Sequence, residues 1–128
     1  MPRSPGPLTN RLAALVPLAL VLLTAGCTDV PERTGDPKTD LMSADAHVKV
    51  LAAQEAARRR DPSHIPQLID LLGDEEKWVR YNAHVAINVI AGPKEEFGYN
   101  YLAPPKQRET AIRKYREWYA ATKPPAPK

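Results

Sequence analysis

His64-Ile65-Pro66-Gln67-Leu68-Ile69-Asp70-Leu71-Leu72-Gly73-Asp74, followed by Val79-Arg80, Ala83 and Ile87, is the stretch that decides the fold. Ile65, Leu68, Ile69 and Leu72 recur at i, i+3, i+4 and i+7, which predicts a short helix over 64–72 with one apolar face. Pro66 is compatible with that helix because it falls in the first turn, where its missing N–H has no partner to lose. Gly73 is expected to end the helix, and Asp74 to cap the next one, with Glu75 and Glu76 at its positive end. That third helix, over 75–91, places Val79, Ala83, Ala86, Ile87 and Ile90 on one face and stops at Gly92-Pro93. A link this short forces the second and third helices to pack antiparallel.

Working outward toward the N-terminus, Asp61-Pro62 separates this pair from a first helix over 43–60, with Ser43 as its cap and Asp45 in its first turn. Its apolar positions Val48, Leu51, Ala52 and Ala56 are mostly small, so a neighbour can approach closely. Arg58-Arg59-Arg60 put positive charge at its C-terminus. Toward the other end, a 14-residue loop from Gly92 to Pro105 leads into a last helix over 106–121. Ala111, Ile112, Tyr115, Trp118 and Tyr119 form its core face, while Glu109, Arg113 and Glu117 form a ladder facing water. No segment of this unit shows strand-like alternation. The expected fold is all-α, with about four helices over 42–122.

The quoted stretch resembles one HEAT repeat of the short bacterial type. The resemblance covers about 30 residues, and the first helix looks like the second half of a preceding repeat. It implies a short α-solenoid or stack of helical hairpins. In that family the Val of the Val-Arg pair enters the core and the Arg reaches back to the turn acid, which implies an Arg80 to Asp74 hydrogen bond. Some HEAT-like relatives are bilin lyases, but no residue here supports carrying that activity over.

Residues 1–26 divide as an export signal does. Arg3 and Arg11 make a basic start without acids, Leu12 to Leu23 is apolar, and Thr24-Ala25-Gly26 are small. The apolar run, broken by Pro17, is too short to span a bilayer, which needs about 20 residues. The small residues lead straight into Cys27, so Leu23-Thr24-Ala25-Gly26-Cys27 resembles the lipobox of bacterial lipoproteins, with Thr24 standing where Leu is commonest. The resemblance implies cleavage after Gly26, acyl chains (palmitate and the like) on Cys27, and a domain held outside the cytoplasm at the membrane of the cell envelope. Two or three chains anchor a domain firmly where one gives only about 10⁴ M⁻¹.

Residues 27–41, rich in Asp, Pro, Thr and Gly, are expected to be a disordered tether reaching roughly 20 Å. Residues 123–128, with Pro124-Pro125-Ala126-Pro127, are expected to be a disordered Pro-rich tail.

Function classes narrow by composition. The chain carries 18 basic and 15 acidic residues, and loss of Arg3 and Arg11 with the signal leaves 16 against 15. That is no basic stripe, so nucleic acid is not an expected partner. One cysteine allows no intrachain disulfide. His47, His64 and His84 lack the spacing of a metal site, and no Gly-rich phosphate loop occurs. Ser43 and Ser63 sit at helix starts, outside any nucleophile-elbow setting. Catalytic, cofactor-binding, metal and small-molecule sites are therefore not expected.

Phe97, Tyr99, Tyr101, Tyr115 and Trp118 are expected to pin the long loop to the last helix rather than form a ligand platform. The expected contact surface is the stripe Lys77, Tyr81, His84 and Asn88 on the third helix, opposite its core face. The expected function is a non-catalytic, membrane-anchored module that holds a protein partner. The alternatives are a structural lipoprotein that self-associates or binds the cell wall, and an accessory subunit of an enzyme.

Overall fold

The computed structural model describes residues 31–93 and 96–122, so the signal, Cys27 and the Pro-rich tail lie outside the described residues. Among the described residues there are five α-helices and no strand: α1 (Pro37–Asp40), α2 (Ala46–Arg59), α3 (Ile65–Leu71), α4 (Lys77–Ile90) and α5 (Pro105–Thr122). A 3-10 turn, Pro62–His64, leads into α3. The protein is all-α, as its periodicity predicts.

The first difference from expectation lies in the segment expected to be a tether. Pro37 opens α1 behind Asp36, whose carboxylate accepts from the N–H groups of Lys38 and Thr39. Asp40 is buried and accepts 2.9 and 2.8 Å bonds from the backbone N–H and hydroxyl of Thr34. Those bonds, the backbone one first, hold its carboxyl below the usual carboxylate range. Leu41, only 2 % exposed, joins the core. Ordered structure therefore extends ahead of Met42, at least to Thr34. Composition misled because this turn is built from side chain to backbone hydrogen bonds, and only Pro37 and Leu41 need be buried to dock it.

Cap positions shift in the same way. Ser43 does not cap α2; its Oγ accepts from the N–H of Asp45, and Asp45 is the cap, taking the Val48 N–H at 3.0 Å. Arg60 ends α2 in the left-handed region (φ 52°), with its N–H shared between the carbonyls of Ala56 and Ala57. Gly73 lies outside the left-handed region and instead packs beside the Ile112 side chain. Gly92 does adopt positive φ (52°), and its N–H reaches back to the Ile87 carbonyl, which closes α4.

Helix directions follow from cross-contacts. Lys49 pairs with Asp74, Gln54 bonds Asn82, and Arg60 reaches the Val89 carbonyl, so α2 runs parallel to α4. Ala52, Ala53, Ala56, Ala83 and Ala86 are all buried, and these small side chains let α2 and α4 approach closely. The short α3–α4 link makes that pair antiparallel. Arg116 pairs with Asp70 while Ile112 meets Gly73, so α5 runs antiparallel to α3 and in the same direction as α4. To achieve this the chain must return along the whole of α4. Residues 96–104 make that return: Phe97 lies near Tyr115, Tyr99 near His84, and Tyr101 near Tyr81.

A candidate contact surface on α4

This returning strap is held by specific bonds. Tyr99 is buried, and its hydroxyl donates to the Leu72 carbonyl at 2.8 Å. Burial pushes its pKa up to about 12. Arg80, also buried, donates from Nε to the Tyr101 carbonyl at 2.8 Å and from Nη1 to the carbonyls of Asp74 and Glu75 at 2.8 and 2.7 Å. The expected Arg80 to Asp74 link thus goes to the backbone of Asp74. Its carboxylate instead binds the Lys49 ammonium and the Glu76 N–H. Arg80 joins the start of α4 to the strap.

Tyr115 is the centre of the aromatic cluster. It is fully buried, with Phe97 edge-on at 4.8 Å and Tyr99, Trp118 and His84 within 6.2–6.3 Å. Burial pushes its phenol pKa up, and its hydroxyl has no hydrogen-bond partner among the described residues. Phe97 and Tyr99 pin the loop to α5 through Tyr115 and Trp118, whereas Tyr101, expected to do the same, packs on Tyr81 of α4. An open hollow between strap and α5 is lined by Glu96, Phe97, Lys114, Glu117 and Trp118, with charges of both signs.

The strap divides the predicted stripe. Lys77 stays exposed, with its ammonium 5.3 Å from the Trp78 ring centre, and Tyr81 is 41 % exposed. His84 is half-buried, 4.9 Å from Tyr99 and beside Asn88 at 3.4 Å. Burial lowers its pKa below 6.5, opposed in part by Glu96. Lys77 and Tyr81 lie on an open face, whereas His84 sits against the strap and Asn88 is half-buried beside it.

The open face of α4 is a different set: Trp78 (56 % exposed), Tyr81, Val85 and Val89 (both 38 %), with Leu102 (62 %) of the strap beside its start. Spacings of three, four and four residues align the four helix positions as one ridge, roughly 16 Å long. Tyr81 touches both Trp78 and Tyr101 edge-on, which extends the ridge onto the strap. Trp78, Val85, Val89 and Leu102 are the functional candidates that the sequence reading missed. Their signal was a second apolar line on a helix whose core face was already assigned.

The ends of this ridge differ in charge. At its start Glu75 and Glu76 are exposed, offset in part by Lys77. At its end lies the C-terminus of α2, where Glu55 takes hydrogen bonds from Arg58 and Arg59, which pull its carboxyl down to about 2. Arg60 remains, with Nη1 3.5 Å from the Val89 carbonyl.

Ser63, His64 and Asp61 adjoin, but the Ser63 hydroxyl (3.2 Å) and the Asp61 carboxylate (3.6 Å) both meet the same nitrogen, Nδ1 of His64. A proton relay needs serine and acid on opposite ring nitrogens. Among the described residues no group of three or more His, Cys, Asp or Glu could hold a metal ion. No described helix is long and apolar enough to cross a membrane. No known family model, curated protein or solved structure matches the chain.

Proposed function

We propose that this protein is a lipid-anchored, non-catalytic interaction module of the bacterial cell envelope, with the outward ridge of α4 as its contact surface. The observation that carries the reading is Trp78, Tyr81, Val85 and Val89 left exposed in line along one helix face, whereas Met42 and Leu102 are exposed outside that helix. Such an apolar line on a small soluble domain marks a place where something docks. The anchor rests on Leu23 to Cys27 and the basic, apolar and small segments before it. A HEAT-like ancestry is supported by the parallel α2 and α4 and the antiparallel α3; the reversed α5 then acts as a terminal cap, because a further repeat would begin with a helix parallel to α3.

The test combines anchor and surface in the full chain. Cys27→Ala should move the protein from the membrane fraction to the soluble fraction. Tyr81→Ala gives up edge-on contacts with Trp78 and Tyr101, so it should lower the melting temperature modestly while reducing cross-linking at α4. A Cys27→Ala variant that stays in the membrane fraction sinks the anchor, and a Tyr81→Ala variant that cross-links as before sinks the surface. The second reading, a lipoprotein that associates with itself, is favoured by the opposite charges at the two ends of the ridge.

A further inference from the structure

We infer that the α4 ridge pairs with the same ridge of a second copy, in antiparallel orientation about a two-fold axis near Asn82 and Val85. This rests on the reading of α4 as a contact surface and names its occupant. A two-fold interface requires one patch to complement itself, so the two ends of the patch must suit each other. The ridge meets that condition in both shape and charge. Its large residue, Trp78, lies at one end, and the small Val89 lies at the other. Antiparallel pairing sets each Trp78 against the Val85–Val89 end of the other copy, so a bulky group meets a low one twice.

Charge selects the same orientation. Glu75 and Glu76 stand beyond the Trp78 end, while Arg60 stands at the Val89 end, held there by its contact with the Val89 carbonyl. Antiparallel pairing brings Glu75 and Glu76 of each copy toward Arg60 of the other, whereas parallel pairing sets like charges together. Arg58 and Arg59 are engaged by Glu55 on the same helix, so among the described residues Arg60 is the cation placed at this end to act across the interface. Charges at the flank of an apolar seam set partner and orientation more than affinity. A seam of one helix length is short, and confinement of two anchored copies to one membrane raises their effective concentration enough for such a seam to be used.

The experiment places a benzophenone photo-cross-linking residue at Trp78 in the full-length chain, expressed in bacteria and irradiated in the membrane. The expected product has twice the mass of the chain, with the cross-link mapped between Tyr81 and Ala91 of the second copy. Glu75→Arg with Glu76→Arg should reduce that product several-fold, and adding Arg60→Glu should restore it, which also shows that the variants fold. A monomer alone after irradiation overturns both this pairing and the contact-surface reading. A cross-link only to a different protein overturns the pairing and leaves the contact surface standing. A dimer joined outside α4, or one indifferent to the charge reversals, overturns the antiparallel arrangement.

Discussion

The α2–α3–α4 layer and the strap with α5 bury apolar surface in opposite styles. The first is aliphatic and small: Ala52, Ala53, Ala56, Ala83 and Ala86 bring parallel helices together over Ile65, Leu68, Ile69 and Ile87. The second is aromatic and tied by polar bonds: Phe97 packs on α5, Tyr101 on α4 and Tyr99 between the two, and Arg80 and Tyr99 hold the backbone in place. Helices that satisfy their own backbone groups need only shape to pack. A strap without regular structure must find partners for its carbonyls, and here a buried guanidinium supplies them. One layer is stabilised mainly by close packing, the other by few, replaceable contacts.

The comparison breaks most strongly at one residue from each region. Leu68→Ala leaves a cavity at a fully buried position and should cost about 3 kcal/mol in denaturant unfolding, lowering the stability of the whole domain. Arg80→Met removes three hydrogen bonds to carbonyls and should cost a comparable amount, about 3 kcal/mol. Hydrogen exchange distinguishes them: Arg80→Met should speed exchange at the amides of Tyr99 and Ala103 well before those of α2. Equal acceleration in both regions would show that strap and aliphatic layer unfold as one unit.

A smaller effect separates the two buried tyrosines. Tyr99→Phe strands the Leu72 carbonyl and should cost about 1 kcal/mol. Tyr115→Phe removes a buried hydroxyl that has no partner among the described residues and should be neutral or stabilising by about a few tenths of a kcal/mol. Thermal melts of the two variants side by side would decide, and a costly Tyr115→Phe would place an ordered water on that hydroxyl.

The smallest effect is pH dependence at His84, which faces Tyr99, Tyr115 and Asn88, with Glu96 as the nearby carboxylate. Its folded pKa lies below the unfolded 6.5, so the unfolded chain binds the proton first. Stability should therefore be complete above about pH 7 and decline as pH falls through 6.5 toward the folded value. Melting temperatures between pH 5 and 8 should show that slope, and His84→Gln should flatten it. An unchanged slope in the variant would move the titration to another group.

Much of the aliphatic layer was legible in the sequence. Ile65, Leu68, Ile69 and Leu72, then Val79, Ala83, Ala86 and Ile87, repeat at helical spacing and are buried as that spacing predicts. The start of the unit was not legible, because Thr34, Asp36 and Asp40 fold by local hydrogen bonds in a stretch whose composition matches a tether. The expected stripe is not one uniform surface: Lys77 and Tyr81 are open, but His84 meets a strap whose path no local pattern specifies.

By itself the sequence determined that the chain is helical, where α4 ends, and the main inward positions of α3 and α4, because periodicity, caps and breakers act within a turn or two; on α2 it placed Leu51 inward where Ala53 is the residue fully buried. Only the tertiary structure decided that α5 runs with α4, that Arg80 binds the strap, and that the open line on α4 is Trp78, Tyr81, Val85 and Val89. Those outcomes depend on contacts between residues roughly 20 to 46 positions apart. A helix displays every one of its faces equally, and only its neighbours select which of them meets water.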